Sequence, residues 1–91
     1  MKRVHLLIDG VVQGVGFRYT LQRVATEAGA TGWVRNLRDG RVEAEVEGAP
    51  DQVDAVLAWA AHGPRGGHVS GVTTTDRSPL HGHGFEVRRD G

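Results

Sequence analysis

Two segments of helical period, an Asp-Gly pair between strand-like runs, and alternating hydrophobicity near both termini predict an α+β sandwich in the order βαββαβ. Two βαβ-like halves around a central hairpin put two helices on one face of an antiparallel sheet, which is the ferredoxin-like arrangement. Ninety-one residues allow one domain, 1–91, built on a single core. No linker, repeat array or low-complexity segment divides the chain.

Residues 3–8, RVHLLI, are apolar at Val4, Leu6 and Ile8, a period of two that predicts a strand. Leu7 on its other face predicts that the strand is covered and central. From Phe17 to Ala28 the spacing of Phe17, Leu21, Val24 and Ala28 describes one face of a helix, and Gly29 supplies a left-handed stop. Arg23 and Glu27 fall at i and i+4 on the outer side. Residues 31–38 and 41–47 flank Asp39-Gly40, a pair suited to a type I′ turn, which needs positive φ twice. In the second arm Val42, Ala44 and Val46 share one face. Glu43, Glu45 and Glu47 share the other, expected to be solvated.

Pro50 opens the second helix, where its missing N–H costs nothing. Asp51 and Asp54 suit the positive end of the helix dipole. Val53, Val56, Leu57 and Ala60 repeat at i, i+3, i+4 and i+7, and Gly63-Pro64 ends the pattern. Trp59 sits at the edge of that face as a packing residue. A β-branched run predicts a strand near 68–76. FEVRR predicts a short last strand with Phe85 and Val87 inward.

Eleven basic and eleven acidic residues leave a formal net charge of zero, so no global basic excess drives nucleic-acid or membrane binding. Hydrophobic residues at 38% and charged residues at 24% suit a soluble globular domain. The absence of cysteine excludes a disulfide framework, a thiolate metal site and a cysteine nucleophile. Leu6-Leu7-Ile8 is too short for a signal-peptide core or a membrane span, so the cytoplasm is the expected location. His81 and His83 lie close together with no third ligand nearby, which predicts a polar loop and no metal site. His5 is expected to face outward from its strand, and His62 to sit in the last turn of the second helix. Aromatic residues at 5% and the glutamate row argue against the RNA-recognition version of this sheet. Trp33 is expected to pack, and Tyr19 to neighbour the site described next.

Between Ile8 and Phe17 stand Gly10, Gly14 and Gly16. Glycines admit positive φ and close approach, and successive N–H groups in such a loop can form a concave anion nest. A helix N-terminus adds free N–H groups and a favourable field. Arg18 in the first turn is then a cation where the dipole disfavours one, by about 0.3–1 kcal/mol. A bound dianion reverses that sign, because the fork of the guanidinium matches phosphate or carboxylate. These residues alone also allow a plain glycine turn beside a surface arginine. The missing GK[ST] ending excludes a nucleotide P-loop, and the glycine spacing excludes a dinucleotide fingerprint.

IDGVVQGVGFR (8–18) closely resembles the first signature of the acylphosphatase family. GWVRNLRDGRVEAEVEG (32–48) resembles the second, with Asn36, Gly40, Val42 and Gly48 at the family's spacing. Length, element order and the FEVRR ending are also similar, so the likeness covers nearly the whole chain. The resemblance implies a ferredoxin-like fold and hydrolysis of the carboxyl–phosphate anhydride of acyl phosphates, with neither metal nor cofactor. By position it implies that Arg18 is the phosphate-binding catalytic arginine and that Asn36 orients the attacking water. The cradle would be the N–H groups of Gln13, Gly14, Val15, Gly16, Phe17 and Arg18. Ala30 stands where a larger apolar residue is usual. GPRGGHVSG (63–71) and HGHG (81–84) depart from the family's pattern. Acylphosphatase-like domains also occur inside larger proteins such as a hydrogenase maturation factor, so a non-catalytic anion-binding module is the alternative. A start at Met1 and an end just past the last strand make a free-standing enzyme the expectation, and a monomer with a small acyl phosphate as its partner is expected. The residues do not specify its acyl group.

Overall fold

Strand alternation and helical period sort the apolar side chains onto one side of a five-stranded sheet. A computed structural model describes all residues 1–91. Its elements are β1 (Lys2–Val11), α1 (Phe17–Ala28), β2 (Thr31–Asn36), β3 (Val42–Gly48), α2 (Pro50–Ala60), β4 (His68–Arg77) and β5 (Phe85–Val87). Val4, Leu6 and Ile8 of β1 join Val34 of β2 and Val42, Ala44 and Val46 of β3 on the helix side. Phe17, Leu21 and Ala25 of α1 and Val53, Val56 and Ala60 of α2 close over them, all buried. Each large apolar side chain in this layer is worth about 1.5–3 kcal/mol relative to its exposed state. No helix is long and apolar enough to cross a membrane.

The strand order is β4-β1-β3-β2-β5. The first four strands pair antiparallel, but β5 pairs parallel to β2, through Gly32–Phe85, Trp33–Glu86 and Val34–Val87. The sheet is therefore mixed, where the sequence predicts an antiparallel one. The reason is directional. β4 is antiparallel to β1, so it ends at the edge where β1 and β2 begin. A strand that follows it across that edge runs in the direction of β2.

Other local expectations shift. β1 continues past Ile8 to Val11, and Gly10, at φ 130°, sits where the β1–β4 register shifts. A Cβ at Gly10 would lie 2.0 Å from the carbonyl oxygen of His68, so this glycine serves a bulge and not the following loop. The buried face of α1 centres on Ala25, with Val24 and Ala28 only half-buried, because α1 rests on α2 as well as on β2 and β5. The hairpin turn has Gly40 N–H donating to the Leu37 carbonyl at 3.3 Å and Leu37 N–H donating to Arg41 at 2.8 Å. Only Gly40 has positive φ (95°), so the turn is a three-residue loop ending in a glycine bulge, not type I′. His62 lies beyond the end of α2, its N–H bonded to the Trp59 carbonyl at 3.0 Å. Trp59 packs as expected, its ring tilted against Phe17 with centroids 5.1 Å apart.

The glutamate row is not solvated. The Glu47 side chain is 2% exposed, and Glu43 and Glu45 are 16% exposed. Cross-strand register supplies the cations: Arg3 stands opposite Glu47, and Arg35 opposite Glu43. Arg3 pairs with both Glu45 and Glu47, while Glu43 takes Arg35 Nε at 2.6 Å and His5 Nε2 at 2.8 Å. Glu47 also accepts the backbone N–H groups of Leu80 (2.7 Å) and His81 (2.9 Å), which pins the 78–84 crossing to the sheet. Trp33 lies under the guanidiniums of Arg88 and Arg35, 4.7 and 5.4 Å from its ring centroid.

Burial opposes ionisation of Glu47, but the N–H of Leu80, the Arg3 guanidinium and the N–H of His81 outweigh it. Its carboxyl is held below the ordinary value of 4.5. Glu43 is lowered too, burial again opposing and His5 and Arg35 prevailing. Carboxyls lowered on folding add stability that is fully present above the ordinary carboxylate range and lost as pH falls through the folded values. Glu47→Gln keeps the shape but offers an N–H group where donors already point. It is expected to lower stability by about 2–4 kcal/mol at pH 7 and to flatten the acid limb. Urea midpoints of both proteins from pH 7 down to pH 3 test this. Parallel curves would show that the carboxylate does not carry the acid sensitivity.

Candidate active site

After Val11 the chain buries Val12 and then turns through Gly14 (φ 75°) and Gly16 (φ 79°) into α1. Gly16 is the N-cap, in the left-handed conformation. It provides no side-chain acceptor, and no acid stands in the first turn. A helix start leaves its first N–H groups unpaired unless a cap answers them. Here the unpaired run is longer: no N–H from Gln13 through Tyr19 donates to a backbone or side-chain acceptor. A Cβ at Gly14 or Gly16 would meet nothing within 4 Å. Glycine is required there by the backbone angles, and the space over the loop is open.

Arg18 projects from this first turn with its side chain 29% exposed. Its guanidinium lies 3.6 Å from the Asp90 carboxylate, and its Cζ is 5.5 Å from the centroid of the Tyr19 ring. The cation at the positive helix end thus has an acid beside it, supplied by the tail after β5. Phe17 is buried against Trp59, so only its backbone faces the loop, and Val15 packs at the core margin.

Asn36 is the last residue of β2. It pairs with Val42, which on its other side pairs with Ile8. Both β1 and β2 are antiparallel to β3, so their C-terminal ends share one edge of the sheet. The cradle loop and Asn36 therefore lie at the same end of the molecule. Asn36 is 8% exposed, and its amide makes no hydrogen bond to the protein yet is not sealed from solvent. The backbone carbonyl of Asn36 accepts from Gly91 N–H at 2.9 Å, and Arg88 N–H donates to the backbone carbonyl of Val34 at 2.8 Å. The tail thus continues beside β2 and brings Asp90 to Arg18. On the other side, Gln13 Nε2 donates to the carbonyls of Leu37 (2.7 Å) and Arg41 (2.9 Å).

The structure places the loop 13–18, Arg18 and Asn36 at one end of the sheet and sets beside them two groups that sequence reasoning missed. Asp90 gave no signal, being an ordinary terminal acid. Gln13 was read for its N–H alone. Neither cavity of the molecule lies here: one of about 220 Å³ is lined by Glu47, Gln52 and His81, and one of about 150 Å³ by Trp33, Leu80 and Arg88. The cradle is an open surface feature. His81 and His83 are exposed in the 78–84 crossing, away from it.

The acylphosphatase family model matches residues 4–87. An acylphosphatase of Trichormus variabilis is 49% identical over 87 residues, spanning 96% of this chain and 86% of its own. The crystal structure of acylphosphatase from Bacillus subtilis aligns with a TM-score of 0.94 at 34% identity, over 98% of this chain and 100% of that one. Full-length HypF, in a phosphate- and nucleotide-bound form, aligns with a TM-score of 0.90 at 23% identity, over 98% of this chain but 12% of its own, a likeness of fold alone. With the family model spanning both signature segments and a relative sharing about half of its residues, the chain belongs to the acylphosphatase family.

Proposed function

We propose that this hydrolase cleaves the carboxyl–phosphate anhydride of a small acyl phosphate at the Gln13–Arg18 loop, releasing carboxylate and inorganic phosphate. One observation carries the siting: the unbroken run of unpaired N–H groups from Gln13 to Tyr19, with Arg18 rising from it. A phosphate seated there takes N–H groups, helix field and guanidinium acting in the same direction. The loose transition state of phosphoryl transfer needs chiefly positioning and charge stabilisation. A carboxylate leaves without a general acid. The amide of Asn36 accepts a hydrogen bond from water with its oxygen and donates one with its nitrogen, and so holds water in line with the scissile bond. The water oxygen bonds to phosphorus. The P–O bond to the acyl group breaks with its electron pair, and the water proton passes to a phosphate oxygen.

The same reading makes the chain one working unit, a cytoplasmic monomer whose partner is its substrate and not a nucleic acid. The zero net charge supports the last point. The second reading, an anion-binding module without catalysis, predicts phosphate binding with no turnover. Hydrolysis of benzoyl phosphate and acetyl phosphate by the pure protein separates the two. Turnover is expected to survive a chelator, and its loss would show that a metal takes part.

Arg18→Gln is expected to abolish both turnover and inhibition by inorganic phosphate. Asn36→Ala is expected to lower kcat about 100-fold or more while the phosphate inhibition constant changes little. Near-wild-type rates in both variants would move the site elsewhere. No group near the scissile bond need titrate near neutrality, so the rate is expected to vary little between about pH 6 and pH 8. A steep limb in that window would call for a titrating base.

A further inference from the structure

Gln13 does more in this structure than lend an N–H to the loop. Its side-chain amide has two hydrogens in one plane, and both are used: one on the Leu37 carbonyl at 2.7 Å, one on the Arg41 carbonyl at 2.9 Å. These carbonyls flank the β2–β3 turn, and Leu37 directly follows Asn36. No other hydrogen bond joins residues 12–18 to residues 36–42. The amide is half-buried, which strengthens both bonds relative to water. Without it, the loop that holds the anion and the strand end that holds the water meet only through packing.

We infer that Gln13 is a positioning residue, which fixes the spacing between the phosphate loop and Asn36. This rests on the proposed reaction at that loop. Gln13 then acts on the approach of water to phosphorus and not on the grip on phosphate. A displacement of about 1 Å between reacting groups can cost on the order of 100-fold in rate. Gln13→Met keeps the length of the side chain and deletes both donors.

The test is a cycle of four proteins: wild type, Gln13→Met, Asn36→Ala and the double variant, assayed on benzoyl phosphate with phosphate as inhibitor. Gln13→Met is expected to lower kcat about 10–100-fold with the phosphate inhibition constant within about two-fold of wild type. In the Asn36→Ala background the same change is expected to have little further effect, because its route of action is already gone. Gln13→Glu, which accepts but cannot donate when ionised, is expected to be as slow at pH 7 and to recover part of its rate toward pH 5, where a protonated carboxyl can donate once. Normal kcat in Gln13→Met, fully multiplicative losses in the double variant, or a phosphate constant that weakens in step with kcat would each overturn the inference. Failure of the wild type to turn over would instead sink the proposed reaction itself.

Discussion

The register of β3 against both its neighbours is the constraint on which the rest depends. Because side chains alternate along a strand, one slip by a single residue would turn Val42, Ala44 and Val46 out of the core and the glutamates into it. The same register aligns Ile8, Val42 and Asn36 in one row. On the proposed siting, that row bears on function as well as on stability. It places the exit of β1, where the glycine loop begins, beside the exit of β2, where Asn36 stands. The exits of β1 and β2 share one end of the sheet because β3 pairs antiparallel with both strands.

The two ends of the sheet handle backbone donors in opposite ways. Near the start of β1, the buried carboxylate of Glu47 takes two backbone N–H groups and Arg3, so donors and acceptors balance. At the other end, the loop before α1 gathers donors and no protein acceptor answers them. The first arrangement is closed, and it holds a crossing loop in place. The second is left open to solvent. Burial of an ion pair is weak evidence for net stability, so the Arg3–Glu47 cluster is better understood as fixing where the 78–84 crossing lies.

Features set by neighbouring residues were legible in the sequence. The period of Val4, Leu6 and Ile8, the Gly29 stop and the Gly14–Gly16–Arg18 spacing each describe a few positions of chain, and each appears in the structure. Features set by pairing between distant strands were not. The glutamates looked solvated because Arg3 and Arg35, which neutralise them, are revealed only by register. The parallel β5 follows from the direction in which β4 leaves, which no local pattern encodes. Asp39-Gly40 suits more than one turn, and the hydrogen bonds of Leu37 select a loop with positive φ at Gly40 alone. The Gln13 amide was hidden for the same reason: its partners are carbonyl groups, and a carbonyl has no letter in the sequence.

Arg18 shows how the site can be charged without being blocked. Its partner Asp90 is 65% exposed and 3.6 Å away, a surface pair of the kind worth about 0–1 kcal/mol. A phosphate over the loop offers the same guanidinium a two-pronged contact and also answers the free N–H groups, which Asp90 does not do in this structure. Charge-assisted bonds of this kind are worth about 1.5–3 kcal/mol each, so the exchange favours the ligand. The carboxylate of Asp90 can return to water at small cost. On the proposed siting, the pair steadies a cation at the unfavourable end of a helix dipole, and an anion that uses the whole loop outcompetes Asp90 for it.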